Sequence, residues 1–494
     1  MQMGRQTQQV KLCAVVHSVN KPCGGEALMG DRDCKGGNGW KKWLRQLILA
    51  LILVSFANQF ALLFTLTEEG MGIQFAARTM PLGYGVRGKY IAICDMLIAA
   101  LFTIWLIRAA LYGQLKQLKW RNYPLCLLAL LAVAVLSTLN SHSVWGELFD
   151  KLTQYGLSAK GLIKAMLFAE PFREAATELI QWTLYLAAFP LLAVALIQHA
   201  DDDEKAFLLD VVLLLTLINE AVAVYDYIVR SDPTQVAGLF GSRNIYSGYL
   251  ALTLPLLLSH SLHSRSNLRM ALCAIAVLLG MFTSLSGWCW LGLTLGLGMV
   301  AWLHSRRAAW VWAIGVTAFL CVTFAFQMRF YKEALPHVFD PYDDELDVRK
   351  EYIEWQAALN GISQDAPPPR SNFPLGFGAG GYQININAYY GSLPNKEKMP
   401  FDSNSLYLVV GMTLGFIGMA TLLFMLIHNG ALAIELHRRS GSAFGKTLGA
   451  GMVGTVVAFA ISSIFTNLLV RGTGPLIIFF ITLLHASRNH IRTQ

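Results

Sequence analysis

Apolar residues run through this chain in stretches of about 20, the length at which an α-helix crosses about 30 Å of hydrocarbon. The stretches do not alternate apolar and polar residues as the strands of a membrane β-barrel do. The pattern therefore predicts an all-α polytopic membrane protein with about 12 transmembrane helices. The predicted spans are residues 44–66, 90–112, 124–140, 175–198, 206–229, 245–262, 269–286, 288–304, 309–328, 404–428, 446–466 and 473–488.

A single long polar segment, residues 329–403, separates the first nine predicted spans from the last three. Its composition requires an aqueous environment, so we expect one large loop outside the membrane. Apolar residues spaced for one helix face, after an acidic start, predict a helix over 344–362. The stretch 365–382 is rich in proline and glycine and is expected to form turns. The predicted domains are a cytoplasmic polar tail (1–43), spans one to nine (44–328), the loop (329–403) and spans ten to twelve (404–494).

Charged residues make up only 14% of the chain, and its lysines and arginines lie mostly between the apolar stretches. Their distribution follows the positive-inside rule, which predicts both termini in the cytoplasm and the long loop outside. The net charge of +8 therefore reflects membrane orientation. Nucleic acid is not an expected partner, because basic and aromatic residues are not interleaved as in proteins that bind single strands.

Two arginines at the predicted outer face are candidates for anion binding. Arg243 lies at the outer mouth of the sixth span, and Arg349 lies on the predicted loop helix. A guanidinium group is always charged and offers five fixed donors, so it can hold a diphosphate bidentately. The alternative role for either residue is a salt bridge or a contact with a lipid headgroup.

Asp402 leads directly into the tenth span and is the first candidate for a general base. A carboxylate at this position can accept a proton from a sugar hydroxyl. It can equally cap the first turn of the following helix. His337, in the same loop, is a second candidate base, although a lone loop histidine is more often only solvated.

The glycine-rich run from Pro374 to Tyr382 has two interpretations. Backbone N–H groups freed by glycines can bind phosphate oxygens. However, the run lacks the Gly-Lys-Ser/Thr ending of a nucleotide-binding loop, so a tight turn is the favoured interpretation.

Five acidic residues lie within predicted spans: Asp95, Glu178, Asp210, Glu220 and Asp226. Such residues are costly in lipid and usually face the interior of a bundle or a cavity. Glu220 is the deepest. These acids can pair with arginines or form a proton path in a transporter.

An amphipathic stretch, residues 157–172, precedes the fourth span and carries Lys160 and Lys164. Arg173 follows it directly. We expect this stretch to lie on the outer membrane–water interface, in contact with membrane lipids.

Several segments together resemble the O-antigen ligase / O-antigen (exopolysaccharide) polymerase superfamily of membrane glycosyltransferases. Residues 238–256 are similar to a family segment with glycine, phenylalanine and asparagine before a Leu-Pro-Leu run, and residues 283–293 are similar to its Thr-x-Ser-Arg-Gly segment. Residues 349–359 and 374–380 resemble its large periplasmic loop, and residues 404–418 follow its His-containing signature.

The resemblance implies a GT-C-like fold and a metal-independent, inverting glycosyltransferase without a cofactor. The implied donor is a glycan on undecaprenyl diphosphate, and the implied acceptor is a hydroxyl group of another glycan or of lipid A–core. Transfer would occur at the periplasmic face of the bacterial inner membrane. A polysaccharide assembly complex is a further implied partner.

Taking these candidate residues together with the resemblance, we predict three catalytic residues and a larger set that binds substrate. The catalytic residues are Asp402, Arg349 and Arg243. The substrate-binding residues are Asn244, Asn404, Ser405, Arg370, Arg230 and His337.

The chain departs from the family pattern at three positions. Asn404 stands where the ligases have their signature histidine, Ser242 replaces an asparagine, and the arginine expected after Ser286 is absent. An exopolysaccharide or O-antigen polymerase of the same superfamily is therefore an alternative to a ligase. A lipid-linked oligosaccharide flippase or transporter is the rival from another class, although no internal repeat is evident. A scaffold that has lost its catalytic residues is a third possibility.

Overall fold

The computed structural model describes most of the apolar stretches and two parts of the large loop. The described residues are 34–56, 61–67, 70–76, 88–113, 116, 118–229, 236–240, 243–264, 266–283, 287–325, 350–363, 374–390, 405–469 and 473–488. The chain divides into a short unit, residues 1–44, and a main unit, residues 45–494. In the short unit, the described residues form the first part of helix α1 (Cys34–Phe56), where a polar tail was predicted.

The first predicted span is wrong in its second half. Helix α1 stops at Phe56, and three antiparallel strands follow: β1 (Ala61–Thr67), β2 (Gly70–Ala76) and β3 (Gly88–Ala92). β1 lies in the centre of this sheet, paired on both sides. A short apolar run is compatible with either a strand or a helix, and pairing on both edges satisfies the backbone of β1. The all-α prediction therefore fails for this segment alone among the described residues.

Every predicted apolar stretch contains a helix. The helices after the sheet are α2 (Ile93–Leu111), α3 (Leu125–Leu139), α4 (His142–Tyr155), α5 (Ala159–Phe168), α6 (Glu170–Thr183), α7 (Phe189–Ile197), α8 (Asp202–Val229), α9 (Arg243–Leu262), α10 (Asn267–Thr283), α11 (Gly287–His304), α12 (Arg306–Ala325), α13 (Lys350–Ser363), α14 (Gly381–Tyr389), α15 (Leu406–Arg439), α16 (Ala443–Ser462) and α17 (Thr473–Ser487). A π-helical turn joins α6 to α7.

Six of the described helical segments are long and apolar enough to cross a membrane, and the number becomes seven if α3 and α4, bent by 48°, form one span. Helices α10, α11 and α17 are apolar but shorter. The helical, membrane-spanning character is therefore confirmed. The number of twelve spans and the GT-C-like arrangement stay predictions.

Helices α9, α11, α15 and α16 form the centre of the bundle. Glycines allow their backbones to approach closely, as is common between membrane helices. A Cβ atom at Gly296 of α11 would lie 2.6 Å from the carbonyl oxygen of Gly454 of α16, and the reverse distance is also 2.6 Å. At Gly451, a Cβ atom would lie 2.9 Å from Cα of Leu256 in α9. Larger residues at these positions would separate the central helices.

The predicted interfacial stretch forms α5 and the start of α6, with a break at Ala169. Leu162, Ile163 and Phe168 of α5 are exposed at the protein surface, so this helix presents an apolar face. Lys164 lies over the ring of Tyr155, 5.9 Å from its centroid. This amphipathic helix fits the predicted interfacial position, which stays a prediction.

Candidate functional site

The described parts of the large loop pack against one end of the bundle, which we call the loop end. Trp355 of helix α13 stacks on Phe465, which lies in the connection between α16 and α17, and the two ring centroids are 5.4 Å apart. The same connection accepts the backbone N–H of Leu406, the first residue of α15, at the carbonyl oxygen of Ser463, 3.0 Å away. The loop, the start of α15 and this connection therefore meet at one place.

The start of α9 also reaches the loop end. Gly248 contacts Leu468 so closely that a Cβ atom at this glycine would overlap the leucine side chain. The hydroxyl group of Tyr246 lies 2.7 Å from the hydroxyl group of Thr283, at the end of α10. Two of the segments that resemble the glycosyltransferase superfamily, 238–256 and 283–293, are therefore in direct contact.

Helix α15 is broken at Gly415, which adopts φ 65° and ψ −164°. Residues 374–380, which we call the glycine strap, fill this break. The backbone N–H of Phe377 donates to the carbonyl oxygen of Met412 at 2.9 Å, and the N–H of Ile417 donates to the carbonyl oxygen of Pro374 at 3.1 Å. The strap thereby satisfies backbone groups that the interrupted helix leaves unpaired.

Hydroxyl groups at the end of α3 and just beyond it hold the other side of the glycine strap. Ser137 Oγ lies within hydrogen-bond distance of the carbonyl oxygens of Leu375 and Thr413, the latter at 2.8 Å, and these two acceptors share its single proton. Thr138 Oγ1 accepts the backbone N–H of Ala379 at 2.9 Å, and Ser141 Oγ donates to the carbonyl oxygen of the strap residue before Gly378. The strap is therefore fixed between α3 and α15 by hydrogen bonds to both.

These contacts support the tight-turn interpretation of the glycine-rich run. The backbone N–H groups of Phe377, Gly378 and Ala379 donate to protein oxygens, so they do not form an open phosphate-binding nest. Gly376 is required by packing as well as by its φ of 70°, because a Cβ atom there would lie 2.6 Å from the backbone nitrogen of Gly415.

Sequence reasoning missed the anchoring role of Ser137, Thr138 and Ser141. The sequence feature that could have indicated this role is a group of small hydroxyl residues at the end of the third predicted span. Tyr389, in α14, was also missed; its ring packs 6.0 Å from that of Phe377. Burial raises the pKa of the Tyr389 phenol, so this group stays neutral and is not a candidate base.

The structure describes three of the candidate site residues, and all three lie at helix starts at the loop end. Arg243 and Asn244 begin α9 and are half-buried, and Ser405 immediately precedes α15 and is buried. The remaining candidates, Asp402, Arg349, Asn404, Arg370, Arg230 and His337, lie outside the described residues. The predicted pairing of Arg243 with Arg349 therefore stays a prediction.

The acids within predicted spans differ in their surroundings. Asp210 is paired with Arg269 at 2.7 Å and with His260 at 3.1 Å, which ties α8 to α9 and α10 at the end opposite the loop end. Asp95 accepts a hydrogen bond from the hydroxyl group of Tyr185. Glu220, by contrast, is buried and neither oxygen of its carboxyl group has a hydrogen-bond partner among the described residues.

Replacing Trp355 with leucine is expected to loosen the attachment of α13. Loss of the stacked pair with Phe465 should lower the free energy of unfolding by about 1 kcal/mol, the usual value for an aromatic contact. Thermal unfolding of the detergent-solubilised protein measures the change. Trp310→Leu is the control, because Trp310 is 71% exposed on α12. Equal shifts for both variants would mean that the stack does not hold α13.

The loop end thus combines two contacting helix ends, a fixed glycine strap and the half-buried Arg243. In the described part of the chain, no group of three or more His, Cys, Asp or Glu residues is arranged to hold a metal ion. The arrangement offers a guanidinium group and helix starts, both of which favour anions.

Comparison of the chain with known protein families and with curated protein sequences finds no match.

Proposed function

We propose that this protein is a membrane glycosyltransferase that moves a glycan from an undecaprenyl-diphosphate carrier to an acceptor hydroxyl group at the loop end of the bundle. The observation that carries the proposal is the contact of the superfamily-like segments there. Tyr246 and Thr283 join two of them, and the glycine strap, a third, is hydrogen bonded to α15. Segments far apart in sequence are thereby assembled around one region.

In this proposal, Arg243 and Arg349 hold the diphosphate of the donor. The start of α9 adds the positive end of its helix dipole. Asn244, Asn404 and Ser405 bind sugar hydroxyl groups, and Arg230 and Arg370 add positive charge near the donor. The isoprenoid tail lies in the bilayer beside the bundle.

The proposed reaction is a single inverting displacement. The acceptor oxygen forms a bond to the anomeric carbon while the bond from that carbon to the diphosphate oxygen breaks. Asp402, or else His337, takes the proton from the acceptor hydroxyl group. The diphosphate leaves with the bonding electron pair, and the two arginines stabilise the charge that develops on it.

The same chemistry serves either a ligase or a polymerase, which differ only in the acceptor. A ligase transfers the glycan to lipid A–core, whereas a polymerase transfers it to another carrier-linked glycan. The departure at Asn404 is the reason that both stay open.

A transporter is the second candidate, and two observations favour it. Glu220 is a buried acid without a hydrogen-bond partner among the described residues, and α15 is broken at Gly415. Broken helices and buried ionisable groups are typical of substrate and ion sites in transporters. In this protein, however, the glycine strap already satisfies the backbone at the break.

One assay separates these functions. The full-length protein in proteoliposomes is given a carrier-linked glycan with either lipid A–core or a second carrier-linked glycan as acceptor. A transferase releases undecaprenyl diphosphate and forms a product whose acceptor distinguishes ligase from polymerase. A flippase leaves the donor intact but changes the leaflet in which it is accessible. If the donor is neither consumed nor moved, both proposals are wrong and a scaffold remains.

A further inference from the structure

The carboxyl group of Glu220 in α8 lies in apolar surroundings. Its oxygen Oε1 lies against Gly280 of α10, where an added Cβ atom would approach it to 2.9 Å. The methyl groups of Leu250 and Leu254 of α9 border the same position, at 3.2 and 3.1 Å from that Cβ atom. An ionised carboxylate here would have lost its hydration without gaining a donor from the described residues, which costs far more free energy than burying the neutral acid.

The titratable groups around Glu220 do not offset a negative charge on it. Tyr246 and Tyr249 of α9 and Cys273 of α10 are the groups that interact with it electrostatically. Both tyrosine hydroxyl groups have hydrogen-bond partners of their own. Among the described residues, no cationic side chain acts on Glu220. Each neighbour would only add negative charge if it ionised, so the neutral acid is the favoured form.

A proton fits this position better than a metal ion does. A hard metal cation needs about six oxygen ligands, whereas Leu250 and Leu254 face the carboxyl group from α9. The other acids of α8 are elsewhere along the helix. Asp210 is paired at the opposite end, and Asp226 lies in the last turn of α8.

A short non-helical segment covers this part of α8. Residues 236–240, which we call the buried turn, follow α8 and fold back onto it. The side-chain oxygen of Asn219, the residue before Glu220, accepts the backbone N–H of Leu239 at 2.8 Å. Gly238, with φ 55°, packs so closely that a Cβ atom would overlap Asn219 and lie 3.3 Å from the ring of Tyr246. The amide of Asn219 therefore holds the buried turn in place.

We propose that Glu220 is a proton-binding site whose carboxyl group is protonated in the resting protein and exchanges its proton at the loop end when the buried turn moves. The site stands apart from the proposed glycosyl transfer, because it rests on the burial of Glu220 and on the turn above it. A transporter would use such a proton for coupling, and a transferase would use it to sense or balance charge near the diphosphate.

Infrared difference spectroscopy of the full-length protein in lipid nanodiscs tests the protonation state. Subtracting the spectrum of Glu220→Gln from that of the wild type at neutral pH should leave the carbonyl stretch of a protonated carboxyl group. Carboxylate bands in place of that stretch would overturn the proposal. The glutamine variant keeps the size of the side chain and its neutrality, and its unfolding temperature checks that it folds.

Deuterium oxide tests the exchange. The carbonyl band should shift when the proton of Glu220 is replaced by deuterium. Asn219→Leu removes the hydrogen bond that holds the buried turn and should speed this shift about fivefold, the factor expected for one such bond. Thr482→Val is the control, because Thr482 is a buried residue of α17 whose hydroxyl group donates to the carbonyl oxygen of Ile478 within the same helix. Equal rates for the two variants would exclude the buried turn as the route.

Discussion

Replacing Gly415 with alanine is expected to lower the free energy of unfolding by about 2 kcal/mol or more. Gly415 adopts φ 65° and ψ −164°, a region that residues with a Cβ atom rarely occupy. In addition, the new Cβ atom would lie 2.6 Å from the backbone nitrogen atoms of Leu375 and Gly376. Backbone cannot move aside as a flexible side chain does, so the glycine strap must leave the break in α15.

Thermal unfolding in nanodiscs measures this loss, and Gly430→Ala provides the matched control. Gly430 lies in the same helix, where a Cβ atom would meet only Cγ1 of Val456 at 3.7 Å, an ordinary contact. Alanine also has the higher helix propensity, so this control should be neutral or slightly stabilising. If Gly415→Ala were as stable as Gly430→Ala, the glycine strap would not occupy the break. If the proposed function is correct, Gly415→Ala should also lower the rate of glycosyl transfer, whereas Gly430→Ala should leave that rate unchanged.

Replacing Arg243 with alanine is expected to reduce kcat/KM for the carrier-linked donor on the order of 100-fold or more, without unfolding the protein. The physical reason is the loss of a fixed positive charge where the leaving diphosphate gains negative charge. Arg243→Lys should recover only part of the activity, because an ammonium group cannot form the bidentate contact. Steady-state rates with purified protein in proteoliposomes measure both variants.

Arg439→Ala is the control for charge alone. Arg439 lies at the far end of α15, where its side chain is 71% exposed and pairs with Glu435. Its removal should leave the rate unchanged. If Arg243→Ala retained the wild-type rate, Arg243 would have no part in binding the diphosphate. The second candidate function, a transporter, would be favoured if the same vesicles moved the carrier-linked glycan across the membrane without transferring it, and if Glu220→Gln reduced that movement.

Sequence periodicity and composition sufficed for the helices because each is a local property of the chain. The mostly apolar stretch predicted as a span, residues 206–229, forms α8, which begins four residues earlier, at Asp202. The same reasoning failed at residues 61–66, since a short apolar run fits a helix or a strand. The pairing of β1 with β2 and β3 decided between them, and that pairing is not local.

The candidate site shows the same division. Arg243 and Ser405 could be assigned to helix starts from sequence, because an apolar stretch follows each of them. The contact between Tyr246 and Thr283 joins residues that sequence alone does not relate. The hydrogen bond that Ser137 donates to the glycine strap and the one that Thr138 accepts from it do the same. Such contacts depend on how the helices pack.

By itself, the sequence determined that this is a helical membrane protein with a polar loop, because lipid requires long apolar helices with internally satisfied backbones. Only the tertiary structure decided which polar groups have partners. Asp210 and Glu220 are both acids on α8, yet packing gives Asp210 an arginine and a histidine and surrounds Glu220 with leucine and glycine. The physical reason is that the charge of a buried acid depends on the neighbours that folding provides, and no local pattern along the chain specifies them.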